Sequence, residues 1–227
     1  MTKVCIHQPD FLPFLGFYQK LKRSDIYIAL DHVQFIKRGW QNRDRIKSQN
    51  GEIWLTVPVE NKGNYKQLLM DTKLDDSQQW REKHLNTIKS CYGKAPHFKS
   101  YFEKIEAIYR QPHGTLTKLN LSFIRFFLDI FKMDIPIKKS SEMNPDGAKN
   151  ELLIDLCKKI SAAKYITGTG ATEYLDDAMF KANGIELEVV SFNPKPYPQL
   201  FGDFIPNLSA VDFLFNKGVD GLDGYLN

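Results

Sequence analysis

Cysteines, long apolar runs and a strong bias of charge are all scarce in this sequence. Cys5, Cys91 and Cys157 are odd in number, far apart and without a CxxC pair, which excludes a disulfide framework and a zinc knuckle. No HxxH or His–carboxylate spacing offers ligands to a metal, and no cofactor is expected. No segment approaches the roughly 20 apolar residues that a membrane crossing needs. "MTKVCIHQPD" lacks the apolar core and cleavage site of a signal peptide, so a cytoplasmic location is expected. Net charge is only +4, from 31 Lys and Arg against 27 Asp and Glu. That is too small and too dispersed for general binding of nucleic acid. Internal repeats and low-complexity stretches are also absent. What remains is a chain of 227 residues with ordinary globular composition, long enough to bury a sizeable core as a single domain over 1–227.

Its pattern is one of alternation. "KVCIHQ" (3–8) and "DIYIAL" (25–30) are apolar runs of strand length. Between them, Leu12, Leu15, Tyr18 and Leu21 share a helical face, with Pro13 tolerated in the first turn. Strand, helix and strand with short links form a βαβ unit whose strands lie parallel. "GEIWLTVPVE" (51–60) is a strand introduced by an Asn50-Gly51 hairpin turn. From Asp76 to about Met133 the period becomes helical. Ser77 can cap a helix carrying Trp80, His84, Ile88 and Cys91; Tyr101, Phe102, Ile105 and Tyr109 mark a second helix; Leu116, Leu119, Phe123 and Phe126 or Phe127 mark a third. These three read as a helical insertion near 77–133 that packs as a lid or subdomain. Alternation then returns with a short strand near "IPIKK" and a helix capped by Asn144. "KYITG" is a strand, "ATEYLDDAMFKANG" a helix closed by Gly184, "IELEVVSF" a strand, and Ser209 caps a last helix ending at Gly218. "NPKPYPQLFGDFIPN" has too many prolines for regular structure. The fold class expected is α/β, a mainly parallel, Rossmann-like sheet with helices on both faces.

In open α/β sheets ligands bind outside the carboxyl ends of the strands. That rule brings His7, Gln8, Asp31 and His32 to one rim. An imidazole there can act as general base or acid, because its unperturbed pKa lies near operating pH; one bonded to a nearby carbonyl is the simpler reading. The stretch "DHVQFIKRGWQNRDRIK" (31–47) adds Gln34, Lys37, Arg38, Trp40, Gln41, Asn42 and Arg43. Arg forks suit phosphate or carboxylate bidentately, and a Trp face suits a base or sugar ring. The plainer alternative is a solvated basic loop whose Trp plugs a core edge. "TGTGATEY" (167–174) runs from strand to helix, where Gly168, Thr169, Gly170 and Thr172 let backbone amides approach an anion. Two glycines are a weak phosphate signature, and a tight turn explains them equally well. Cys5 and His84 read as core.

The motifs "IHQPDFLPFLGFYQKL", "DHVQFIKRGWQNRDRIK", "LTVPV", "GTGATEYLD" and "PYPQLFGDFIPNLSAVDFLFNKG" resemble, in order and over essentially the whole chain, the WbqC-like family of bacterial proteins. The resemblance implies a role in O-antigen or other surface-polysaccharide biosynthesis: transfer of a glycyl, other aminoacyl or small acyl group to a nucleotide-linked amino sugar. In that reaction His7, oriented by Asp31, is the expected base. Asn42 or Gln34 donate to the oxyanion, and Lys37 and Arg43 clamp the diphosphate. "SDIYIALDHVQF" also resembles the adenylate-forming nucleotidyltransferase group that includes pantothenate synthetase, although "FLPFLG" stands where that group has a pair of histidines. The competing class is a non-catalytic binder of nucleotide or nucleic acid. Whether the chain forms a homo-oligomer is left open by the sequence.

Overall fold

The computed structural model describes residues 1–60 and 66–227. Its centre is a five-stranded sheet built from β1 (Thr2–His7), β2 (Ile26–Ala29), β5 (Ile137–Lys139), β6 (Ala162–Gly168) and β7 (Glu186–Val190), in the order β5-β2-β1-β6-β7. All four pairings are parallel, and the fold is α/β as the alternation predicts. Strand residues face the two layers by turns. Cys5, Tyr27 and Ala29 point into a large core with α1 (Leu15–Lys22), α2 (Trp80–Tyr92), α3 (Phe98–Arg110), α4 (Leu116–Ile130) and α7 (Ala210–Lys217). Val4, Ile6 and Ile28 point the other way, into a smaller core with Leu153, Ile154, Leu156 and Cys157 of α5 (Asn150–Lys159) and Phe180 of α6 (Asp177–Ala182). The three helices between 77 and 133 share this core with α1, whose Phe17 meets Tyr27 of β2 at 5.6 Å. Aromatic edges do much of the joining: Tyr18 of α1 meets Phe127 and Phe131 with centroids 5.4 and 5.2 Å apart.

Several expected boundaries move, each for a local reason. Pro13 disfavours α geometry in the residue before it; Leu12 takes φ 47°, and α1 begins only at Leu15. Ser77 does not cap α2. Its hydroxyl and amide both turn to Asp75 Oδ1, at 2.6 and 3.1 Å. Nor does Asn144 cap α5, which starts six residues later at Asn150 after Lys149 at φ 51°. The expected helix over 171–184 shrinks to α6, because Asp176 caps it through the Met179 amide. The stretch after "TGTG" is instead one 3-10 turn, Thr169–Ala171, so no helix dipole aims at Gly168 or Gly170.

The basic stretch also holds a strand that its turn-rich composition hides. β3 (Arg43–Ser48) pairs antiparallel with β4 (Gly51–Thr56), and Ser48 faces Gly51 at φ 99°. The Asn50-Gly51 turn is the hairpin expected.

Candidate active site at the switch point of the sheet

After β1 the chain lays β2 and β5 on one side, then crosses to place β6 and β7 on the other. The winding reverses between β1 and β6, and a crevice at such a reversal is where parallel sheets hold ligands. Register pairs Cys5 with Ile166, so Gly168 comes level with His7 at the carboxyl rim.

His7 ends β1 with its Nδ1 2.8 Å from the Gln8 carbonyl oxygen and 3.6 Å from Asp10 Oδ2. A carbonyl can only accept, so Nδ1 carries the proton and Nε2 presents a lone pair. Phe17 meets the ring edge-on at 5.4 Å. Crowding by the protein, then the nearby Lys20 charge, push the imidazole pKa down to about 3. The side chain keeps 35% of its surface open, so water moderates this shift, and what stands is its direction: the ring is neutral at pH 7. Asp10 moves the opposite way. Its carboxyl is 13% exposed, and desolvation raises its pKa to about 7 against the opposing pull of Lys20.

Lys20 comes from α1, whose face from Leu15 to Leu21 is wholly buried. It is 7% exposed. Its Nζ lies 5.5 Å from the Phe17 ring centroid and 3.8 Å from where a Cβ on Gly168 would stand. Among the described residues none gives that ammonium a hydrogen bond or a carboxylate within 4 Å. Within reach of the Asp10 charge, Asp44 is buried with its pKa raised well above the ordinary carboxylate value, by desolvation first. The Tyr18 hydroxyl, near both carboxyls, is buried without a hydrogen-bond partner.

Two loops close over these groups. Gln41 Nε2 donates to Gln8 Oε1, and the Phe11 amide donates to the Trp40 carbonyl at 2.9 Å. Asn120 of α4, fully buried, donates from Nδ2 to the carbonyls of Pro9 and Gln41 at 2.8 and 2.7 Å. One amide thus pins the loop after β1 to the loop before β3.

The remaining expected residues fall into other neighbourhoods. Asp31, 1% exposed, does not orient His7. Its carboxylate accepts from Ser140 Oγ, the Ser141 amide and Ser141 Oγ at 3.1, 2.9 and 2.9 Å. His32 Nδ1 lies 2.6 Å from Ser140 Oγ, so this pair locks β2 to the segment after β5, and Asp10 takes the place beside His7. Gln34 is exposed, its backbone bridging Leu68. Asn42 is buried and donates from Nδ2 to the Val57 carbonyl at 3.1 Å. Lys37 and Arg38 are exposed on the outer turn, the latter at φ 61°. Lys47 turns inward to Gln199, Gly202 and Asp203. Thr169, Gly170 and Thr172 are exposed, and the Thr172 hydroxyl donates to the Thr169 carbonyl at 2.8 Å.

Trp40 does not plug the core edge. It is 49% exposed and faces Trp54, itself 43% exposed, at 5.6 Å and 36°. The Arg43 guanidinium lies 4.2 Å from the Trp54 centroid, and that of Arg45 5.6 and 5.7 Å from Trp40 and Trp54. These four side chains make an aromatic–cation platform joined through Gln41 to the crevice.

Asp10, Lys20, Asn120 and Trp54 escape a reading of the sequence. Only Lys20 leaves a local trace: it is a cation within the apolar run of a short helix. Two cavities lie elsewhere, one of about 10 Å³ against Phe192 and Tyr197 and one of about 180 Å³ against Arg125 and Asp134. Neither carries these groups.

Fold and rim together define a parallel α/β protein with a crowded polar site at its switch point. The sequence profile of the WbqC-like protein family matches residues 8–223, and the chain belongs to that family. It is also similar to a protein of Mycobacterium tuberculosis (strain ATCC 25618 / H37Rv) described as "Uncharacterized protein Rv1507c", with 31% identity over 225 residues, covering 98% of this chain and 97% of the other. No solved structure matches the chain.

Proposed function

We propose that this protein is an enzyme of surface-polysaccharide (O-antigen) biosynthesis. It would transfer an aminoacyl group, glycyl among them, or another small acyl group to the amine of a nucleotide-linked amino sugar. Family membership supports the pathway, and one arrangement carries the chemistry: at the rim the Asp10 carboxyl, its pKa pushed up to about 7 by burial, lies 3.6 Å from the His7 ring and close enough to the buried Lys20 to feel its charge.

In the step itself the amine nitrogen attacks the acyl carbonyl. The C–N bond forms, the bond to the leaving group breaks, and the proton shed by the amine returns to the leaving group. A carrier works best when its pKa lies near the operating pH. Asp10 meets that requirement, whereas an imidazole pushed below its ordinary range holds a proton more weakly. The proton is therefore assigned to Asp10. His7 positions the amine by accepting from it at Nε2, while the Gln8 carbonyl holds the tautomer. Trp40 and Trp54 offer faces for the nucleobase, with Arg43 alongside.

The test is incubation with nucleotide amino sugars and a glycyl donor, followed by mass spectrometry. Product is expected from the native protein and not from Asp10→Asn. Full turnover in Asp10→Asn would remove the assigned role, and no product with any pair would remove the reaction.

The exposed platform favours a second reading, a non-catalytic nucleotide or nucleic-acid binder. Counterion release makes duplex binding fall steeply with salt. A nucleotide instead raises Tm at modest salt and leaves DNA unbound, which is the outcome expected here.

A further inference from the structure

We infer that the crevice between the carboxyl ends of β1 and β6 is an oxyanion site of the phosphate class, with Lys20 as its anchoring cation. The inference concerns binding alone and stands whether or not acyl transfer takes place.

An ammonium withdrawn from water is costly unless an opposite charge or full hydrogen bonding replaces its hydration. Lys20, 7% exposed as a residue, has no ion pair or hydrogen bond among the described residues, and the Phe17 ring at 5.5 Å replaces only part of what a counter-charge supplies. The groups whose charges act on or feel Lys20 do not complete it. Cys5 is a thiol whose pKa burial drives up to about 11, His7 is neutral, and Asp10, which feels the Lys20 charge, makes no ion pair with it. Lys20 thus has room for an anion at its ammonium.

Its surroundings suit phosphate. Lysine binds phosphate as a point charge, and the site lies at the reversal of the sheet. At the end of β6 stands Gly168, extended at φ −99° and ψ 168°, so its backbone does not demand glycine. A Cβ there would make an ordinary contact with Lys20, 3.5 Å from Cδ and 3.8 Å from Nζ, so the strand end lies directly beside the ammonium. With only hydrogen at that position, the strand backbone can approach a ligand beside the ammonium. Tyr18, with its unpartnered buried hydroxyl, comes from the same helix.

Thermal shift and isothermal titration with sodium pyrophosphate, against sodium chloride at equal ionic strength, test the site. Pyrophosphate is expected to raise Tm by several degrees in the native protein. Lys20→Met, which removes an unpaired buried charge, is expected to fold with unchanged or higher Tm and to bind pyrophosphate at least about tenfold more weakly. A structural lysine would show the reverse, a lower Tm and an unchanged increment. Gly168→Val keeps Lys20 but fills the space beside it, and should also lose the increment; it decides the matter should Lys20→Met not fold. A nucleoside diphosphate binding more tightly than pyrophosphate would identify a nucleotide as the source of the phosphate, and equal binding would identify the free anion. No increment beyond chloride in the native protein, or an equal increment in both variants, would overturn the inference.

Discussion

At the scale of single residues, His7 and Asp10 couple folding to pH with opposite signs. The folded state holds the His7 pKa below the ordinary 6.5. It therefore binds fewer protons than the unfolded chain below that value, and stability is lost as pH falls through 6.5. Asp10 is raised from 3.8 to about 7; the folded state keeps a proton that the unfolded chain has shed, and stability is lost as pH rises from about 4 to 7. The two slopes oppose each other between about pH 4 and 6.5. Relative to the native protein, His7→Gln should therefore lose stability as pH rises across that range, and Asp10→Asn as it falls. Urea midpoints in steps of half a pH unit check this, and two variant curves parallel to the native one would contradict it. The acid limb of any pH–rate profile should follow Asp10 deprotonation near 7, and Asp10→Asn should yield no product at any pH.

At the scale of elements, the hairpin β3–β4 and helix α7 make contrasting predictions. Trp40 and Trp54 are exposed, so Trp40→Ala should change stability by less than about 1 kcal/mol. The same change should abolish nucleotide-induced quenching of tryptophan fluorescence. Arg43→Ala should raise the nucleotide dissociation constant by about tenfold, the loss of one charge-assisted contact, with the fold intact. Asp212 of α7 is fully buried. It accepts from the hydroxyls of Tyr92 and Tyr197 and from Gln199 Nε2 at 2.7, 2.8 and 2.8 Å. Asp212→Ala leaves all three donors unsatisfied and should destabilise by about 3–5 kcal/mol. Denaturant unfolding measures it, and a loss under about 1 kcal/mol would show that water replaces the carboxylate there.

At the scale of the whole molecule, α2–α4 share one core with the sheet, and the chain is expected to unfold as a single unit. Trp80 of α2, buried at 3% exposure, reports on the three helices. Its emission should shift at the same temperature as the loss of far-ultraviolet circular dichroism, whereas an earlier shift would mark those helices as a separately melting subdomain. Asn120 ties this layer to the rim through Pro9 and Gln41. Its role belongs to the assembled molecule and is invisible in any segment taken alone.

Local pattern by itself determined most of the elements, β3 excepted. β1, β2, β6 and β7 are apolar runs ended by polar residues or glycine, and α3 and α4 repeat their apolar side chains at the helical period; both signals depend on neighbours a few residues apart. It also placed His7 at a rim and Gln41 near it. Tertiary structure alone decided which residues meet there. β6 lies beside β1 though some 160 residues follow it in sequence, Tyr165 bonding Ile6 across a separation of 159, and that placement sets Gly168 against Lys20. Asp31, expected beside His7, goes to serines 109 and 110 residues away. Strand order and carboxylate partners are settled by the burial of whole faces and by the need to satisfy each buried polar group, quantities that exist only once the chain has closed on itself.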